Sequence, residues 1–360
     1  MRVLIVDTFY PAFLDAHYTG DPGLRDAPYA EQWHSLMRTS FGTADAYSHY
    51  LRQLGHEAHE IVVNCGPLQD AWRREHGISP APSSGPLAAQ PPAADLIAAQ
   101  VDDFAPDVLY LQDLAVVDAG LLRVLGRGRL LVGQSGTEPP EPQQLRAFDL
   151  ILTSFPHYVE RFRALGVARE YFRIGFDPRA LDRVGELPRD IDAVFVGSLL
   201  PSPRWKGNAL LDRASGRLPL DTWGIGATEW PEGSALRRRY RGEAWGIEML
   251  RLLGRARIVV NRHGAVAEDY ANNMRLYEAT GMGALLLTEA KRNLSDLFEV
   301  GREVVAYEGV EELIGLASYY LEHEDERRGI AVAGQQRTLA EHTYAHRMRE
   351  LDEILSRYRR

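Results

Sequence analysis

Short apolar runs separated by helix-like segments recur along this chain in two series, and that alternation constrains its fold more than any other feature. A parallel strand covered on both faces reads as a continuous apolar run, and joining it to the next parallel strand needs a crossover, usually a helix. In the first series, residues 2–8 and 57–64 are predicted strands with a helix over 44–54 between them, ended by Gly55. Further strands are expected at 108–112, 129–133, 150–153 and 171–174, with helices at 95–104, 119–125 and 156–165. Residues 176–189 hold two prolines and little periodicity, which reads as a linker. A second series follows, with strands at 193–197, 220–224, 257–261, 285–288 and 303–307 and helices at 246–253 and 274–280. Two helices within 310–341 and a last one at 344–358 end the chain. The expected fold class is therefore α/β, with two Rossmann-like domains facing a central cleft.

Two long segments break the rhythm. Residues 9–43 are polar and aromatic, with Tyr10, His17, Tyr18, Trp33 and His34; with Tyr47 and His49 these rings suit either sugar stacking or a local core. Residues 66–94, rich in Pro, Ala, Ser and Gly, are read as a mobile flap or a tolerated insertion.

Composition narrows the partners. A chain of 360 residues is long enough for two separate cores. Its formal net charge of -9 argues against nucleic acid or an anionic membrane as the main partner. No run approaches the roughly 20 apolar residues of a spanning helix, so any membrane contact is expected to be peripheral. The first apolar run, from Val3 to Val6, is too short for a secretion signal, and with one cysteine, Cys65, a reducing cytoplasm is the expected location. Cys65 ends an apolar run and reads as a buried small hydrophobe. The histidines show no paired metal-ligand spacing and no Asp-x-Asp stands at a strand end, so no metal site is expected.

The most informative stretch runs from Tyr270 to Thr288. Asn272 reads as an N-cap, residues 274–280 as a short helix, and Gly281 and Gly283 as its stop before the buried strand. Arg275 and Glu278, three apart, share a helix face with Asn273 nearby. An arginine at a helix start suits a phosphate, and a carboxylate one turn on can accept hydrogen bonds from both hydroxyls of a ribose. A plain surface pair, worth about 0.3–0.5 kcal/mol, is the alternative reading.

Other strand ends offer polar groups. Gly197-Ser198 at a strand end, followed by Arg204 and Lys206, suits a bound phosphate, or else is a solvated basic loop. Asn261-Arg-His-Gly264 follows a buried strand, and there His263 and Arg262 are candidates for diphosphate or sugar contact, with a surface turn as the alternative. Trp223-Gly-Ile-Gly226 is a turn where Gly224 would let a base or ribose approach. In the first series the strand ends carry Asp7-Thr8, Gln112-Asp113 and Gln134-Ser135; Asp113 and His17 are the candidates for a general base, expected only for an inverting reaction, and each taken singly reads first as an ordinary turn or capping residue. Arg237-Arg-Arg-Tyr-Arg241 reads as a solvated helix face or lid.

Asn-x-Arg-x-x-Glu-Ala followed by Gly-x-Gly-Ala-Leu-Leu-Leu-Thr resembles the donor-binding segment of GT-B glycosyltransferases, specifically the CgeB-like branch of the glycosyltransferase group 1 proteins. Asp149 to His157, Gly175 to Pro178, Val194 to Ser198 and His342 to Arg347 are similar to that family's passages in the same order. The resemblance implies an acceptor-binding domain over 1–175, a linker over 176–189, a nucleotide-sugar-binding domain over 190–341 and a final helix over 342–360 returning to the first domain. It implies Glu278 on the nucleotide ribose, with Asn272, Asn273 and Arg275 by the diphosphate or donor sugar, and a hexosyltransferase-like, retaining reaction that is metal-independent and needs no cofactor. The donor would be a nucleotide diphosphate sugar, UDP first, dTDP or GDP otherwise; the acceptor would be a small molecule, glycan or natural product presenting a hydroxyl or amine. A nucleotide-sugar epimerase or hydrolase, and a non-catalytic nucleotide-sugar-binding protein, are the alternatives. One position departs from the family: Tyr270 stands where retaining relatives often carry a glutamate, with Glu268 and Asp269 out of register.

Overall fold

In the computed structural model, which describes residues 1–79, 93–200 and 207–359, the chain divides into two compact units. The first comprises Met1–Arg173 together with Arg347–Arg360, and the second Ile174–His346.

The first unit is built on a six-stranded sheet with β1 at Arg2–Asp7, β2 at Glu57–Val62, β3 at Val108–Leu111, β4 at Leu130–Ser135, β5 at Leu150–Thr153 and β6 at Arg169–Tyr171. Its order is β2-β1-β3-β4-β5-β6 and its pairs are parallel. Four consecutive residues of β1, Val3 to Val6, are buried, as expected for a central parallel strand covered on both faces. The chain leaves β1 for β2 on one side and returns to β3 on the other, so the strand order reverses between β1 and β3.

Two segments of this half to which the sequence assigned no elements contain helices. Residues 9–43 are largely helical: Pro11–Gly20 and Tyr29–Arg38 are α-helices and Pro22–Asp26 is a short 3₁₀ turn. Prolines stand at the head of each, where a missing N–H and a fixed φ are tolerated. Tyr18, Trp33 and Tyr47 from the aromatic set are buried, so these three belong to a local core; Tyr10 is 59% exposed. Residues 66–94 likewise begin with a helix, Gly66–Glu75, which carries buried Leu68 and Trp72. Residues 80–92, the remainder of the proposed flap, lie outside the described residues.

The second unit holds five parallel strands, β7 at Ile191–Val196, β8 at Leu220–Trp223, β9 at Ala256–Asn261, β10 at Leu285–Glu289 and β11 at Val305–Tyr307, in the order β11-β10-β9-β7-β8. Alternate residues feed the two faces. Val194, Val196, Val259 and Leu286 pack into one apolar layer, while Ala193, Phe195, Ile258, Val260 and Leu287 pack into the other. Residues 176–189, read as a linker without periodicity, contain the helix Arg179–Val184 and pack within this unit, where Phe176 and Ala180 enter the core. The strand order reverses between β7 and β9. Ligands of open α/β sheets bind outside the carboxyl ends of the strands at such a reversal. No helix among the described residues is long and apolar enough to cross a membrane.

Candidate functional site

At the reversal in the second sheet the carboxyl ends of β7 and β9 meet the start of the helix Arg275–Gly281. The helix begins one residue later than the sequence suggests, and its first turn is closed by Asn273, whose Oδ1 accepts from the Leu276 N–H at 3.3 Å, rather than by Asn272. Asn273 also forms a reciprocal amide pair with Asn261 at the end of β9: Asn273 Nδ2 donates to Asn261 Oδ1 at 2.8 Å, and Asn261 Nδ2 donates back at 3.3 Å. Asn261 Nδ2 further reaches Thr288 Oγ1 on β10 at 2.9 Å, and Tyr307 Oη donates to the Asn261 carbonyl at 2.7 Å. Three strand ends and the helix start are thus joined by buried polar contacts.

Arg275 and Glu278 share a helix face, and they are not a surface pair. Arg275 Nη1 donates to Glu278 Oε2 at 2.6 Å, with the two side chains only 14% and 12% exposed. The guanidinium also reaches the Val196 carbonyl at 3.2 Å, tying the helix to the end of β7. Arg275 Nε is buried without a hydrogen-bond partner among the described residues, and so is the hydroxyl of Ser198, two residues past β7. Among the described residues, two hydrogen-bond donors are therefore unmet at the strand-order reversal, where an added acceptor would satisfy them.

Gly197 and Gly224 are in mutual backbone contact. Gly224 has φ +134, and a Cβ there would overlap the Gly197 carbonyl oxygen, so glycine is required by this close approach. Arg262 turns inward: its guanidinium donates to the Ser198 carbonyl at 3.0 Å and to Asn208 Oδ1, lies over the Phe195 ring, and burial lowers its pKa. His263 is 6% exposed, and burial, with Lys291 and Arg262 adding to it, pushes its pKa down to about 3, so the ring is neutral. Its backbone N–H is held at 2.7 Å by Glu289 Oε2. Glu289 and Thr288 were not singled out from sequence; their signal is that they end a buried parallel strand. Arg204 and Lys206 lie outside the described residues. The basic run Arg237 to Arg241 folds onto its own unit, with Arg237 Nη1 donating to the Trp230 carbonyl at 2.9 Å and Arg241 paired with Asp221.

A second polar group lies at the reversal of the first sheet. Thr8 Oγ1, just past β1, donates to Asp113 Oδ2 just past β3 at 3.0 Å, and Asp113 Oδ1 accepts from the Ala115 N–H. Burial, then the nearby Asp113 charge, raises the Asp7 carboxyl to about 7, against the lowering effect of the Thr8 N–H. Gln134 Oε1 takes hydrogen bonds from Tyr47 and Tyr110, and Gln112 Oε1 takes one from Thr43. His17 stands on the helix Pro11–Gly20, with Nε2 3.2 Å from Ser35 Oγ, its ring stacked on Phe13 and its pKa lowered by burial. Among the described residues no group of three or more His, Cys, Asp or Glu side chains is placed to hold a metal ion.

Comparison with known proteins agrees with this architecture. A family model described as Glycosyl transferase-like matches residues 204–353, which takes in the helix Arg275–Gly281. No curated protein sequence matches the chain. Among solved structures the chain is similar to Alr3699/HepE of Anabaena, crystallised with UDP-glucose, at 16% identity and a TM-score of 0.61, with 99% of each chain covered. It is similar to a sucrose-phosphate synthase of Thermosynechococcus elongatus at 13% identity and a TM-score of 0.60, covering 99% of this chain and 98% of that one. AviGT4, a glycosyltransferase of avilamycin A biosynthesis, aligns at 19% identity with a TM-score of 0.56 over 100% and 97% of the two chains. The fold is the two-sheet α/β architecture of GT-B glycosyltransferases.

Proposed function

We propose that the protein is a glycosyltransferase of the CgeB-like kind that takes its donor, a nucleotide diphosphate sugar, in the second unit. The observation that carries this reading is the pair of buried, unmet donors, Ser198 Oγ and Arg275 Nε, at the strand-order reversal beside the Arg275–Glu278 ion pair. In this reading the diphosphate oxygens accept from those two groups, from backbone around Gly197 and Gly224, and from Arg204 or Lys206. Glu278, with Oε2 engaged by Arg275, offers Oε1 to the ribose hydroxyls, and Asn272, Asn273 and Asn261 shape the adjoining wall. The bond between the anomeric carbon and the diphosphate oxygen breaks, its electron pair leaving with the nucleotide. The acceptor hydroxyl or amine forms the new bond and gives up its proton. If transfer inverts the anomeric centre, Asp113 or His17 would serve as the base, Asp113 standing just past β3 with Oδ2 accepting from the Thr8 hydroxyl. UDP as the nucleotide is supported by the UDP-glucose held by the similarly folded Anabaena protein; a retaining, metal-independent course is carried over from the family resemblance alone.

Calorimetry with UDP, dTDP and GDP, followed by donor turnover with and without EDTA, tests it. Binding of one nucleotide and turnover unaffected by EDTA are expected. Failure of the wild type to bind any of the three would overturn the donor site, and inhibition by EDTA reversed by manganese would overturn metal independence.

A further inference from the structure

Both nitrogens of the His263 ring already face protein atoms. Nδ1 is 3.3 Å from the Asn272 backbone nitrogen, and Nε2 is 3.3 Å from Thr288 Oγ1. An amide N–H only donates, so Nδ1 carries the lone pair and the ring proton is on Nε2, pointing at the threonine oxygen. Glu289 holds the His263 backbone N–H, and Asn293 Oδ1 accepts from the Ala271 N–H at 2.6 Å, so the loop leading to Asn272 is pinned at each end of the contact. The next residue, Asn273, closes the first turn of the helix that carries Arg275 and Glu278.

We infer that His263 is a positioning residue: a neutral imidazole that bridges the Asn272 N–H and the Thr288 hydroxyl, and so fixes the Asn272–Asn273 turn and the start of the helix Arg275–Gly281 without touching the substrate. The inference departs from the expectation that this histidine contacts diphosphate or sugar. Its consequence for donor binding rests on the function proposed above; the structural role does not. A second-tier group of this kind tunes affinity by holding others in place.

Three variants of the full chain separate the two contacts. His263→Asn keeps an acceptor near the Nδ1 position, His263→Gln reaches only toward the Nε2 position, and His263→Ala keeps neither. Hydrogen exchange of peptides spanning residues 271–278 is read first. Exchange is expected to quicken about tenfold in the Ala and Gln variants and to stay within about threefold of wild type in the Asn variant. Equal quickening in Asn and Ala, or none in Ala, would overturn the inference. Nitrogen-15 NMR of the wild-type histidines, with His263 assigned through its own backbone correlations, needs no variant and so holds even if all three fail to fold: the His263 imidazole is expected to remain in the neutral Nε2–H form from about pH 5 to 8. A titrating or Nδ1–H His263 would refute the assignment. Nucleotide affinity, measured in parallel, is expected to follow the exchange ranking. If the wild type binds no nucleotide, the proposed function fails, while exchange and NMR still decide the role of His263.

Discussion

Arg275 and Glu278 form a 2.6 Å ion pair on one turn of helix, and the same guanidinium spans to the carbonyl of Val196 at the end of a neighbouring strand. The pair is therefore part of how the helix is seated as well as a feature of the candidate donor site. Removing one member of such a buried pair leaves the other charge unmatched.

Arg275→Leu is expected to destabilise the protein by on the order of 3 kcal/mol. Adding Glu278→Gln should recover part of that loss, because no carboxylate is then left unpaired. Urea denaturation of the two single variants and the double variant checks this, and additive effects would show that the pair is not coupled.

Two glycines should respond in opposite directions to alanine. Gly224→Ala would drive a methyl group into the Gly197 carbonyl at a φ of +134, and a loss of about 3 kcal/mol or failure to fold is expected. Gly315 lies in the helix Val310–Glu322 with open space around it, and Gly315→Ala should stabilise by about 0.5–1 kcal/mol. Thermal melts of both variants, compared with wild type, provide the measurement.

Glu60 is 2% exposed in β2, and burial raises its carboxyl to about 7, with the Ser48 N–H and hydroxyl and Arg52 opposing the rise and Asp45 adding to it. The folded state therefore holds a proton that the unfolded state releases between about pH 4 and 7, so stability falls as pH rises through that window and levels off above it. Glu60→Gln cannot ionise and should lose this component. Between pH 5 and 8 the wild type is expected to lose about 2–3 kcal/mol more than the variant, as read from urea midpoints at the two pH values.

Cys65 is buried with its thiol near the Tyr18 hydroxyl, and burial pushes its pKa up to about 11. It should resist a thiol reagent at pH 8 in the native protein and react at once in guanidinium chloride. Rapid native labelling would show that the helix Pro11–Gly20, which carries Tyr18, opens readily.

The strands were legible because a parallel strand buried on both faces is apolar at consecutive positions, as Val3 to Val6 and Leu285 to Leu287 are. The helices between Pro11 and Arg38 were hidden by prolines that break a helix interior but suit its first turn. In the candidate site, the spacing of Arg275 and Glu278 placed them on one face, and the polar residues after β7 and β9 stand at the carboxyl ends of adjoining strands. That the cap position falls at Met274, with helical backbone angles, while the Asn273 side chain rather than that of Asn272 accepts from the Leu276 N–H, is something composition does not reveal. The contacts of His263 with Thr288 and Glu289 cross 25 and 26 residues and arise only when β9 and β10 pair.

The first unit is discontinuous: it needs Arg347–Arg360 as well as Met1–Arg173, and Asp352 of its last segment meets His56 at 2.9 Å across 296 residues. During synthesis, then, the unit that begins first is completed last. Its sheet can form early, but its final helix arrives only after the whole second unit has been made. An interval follows in which the second unit has all its residues while the first still lacks a piece of its covering, and a chain halted before Arg347 would carry that gap for good.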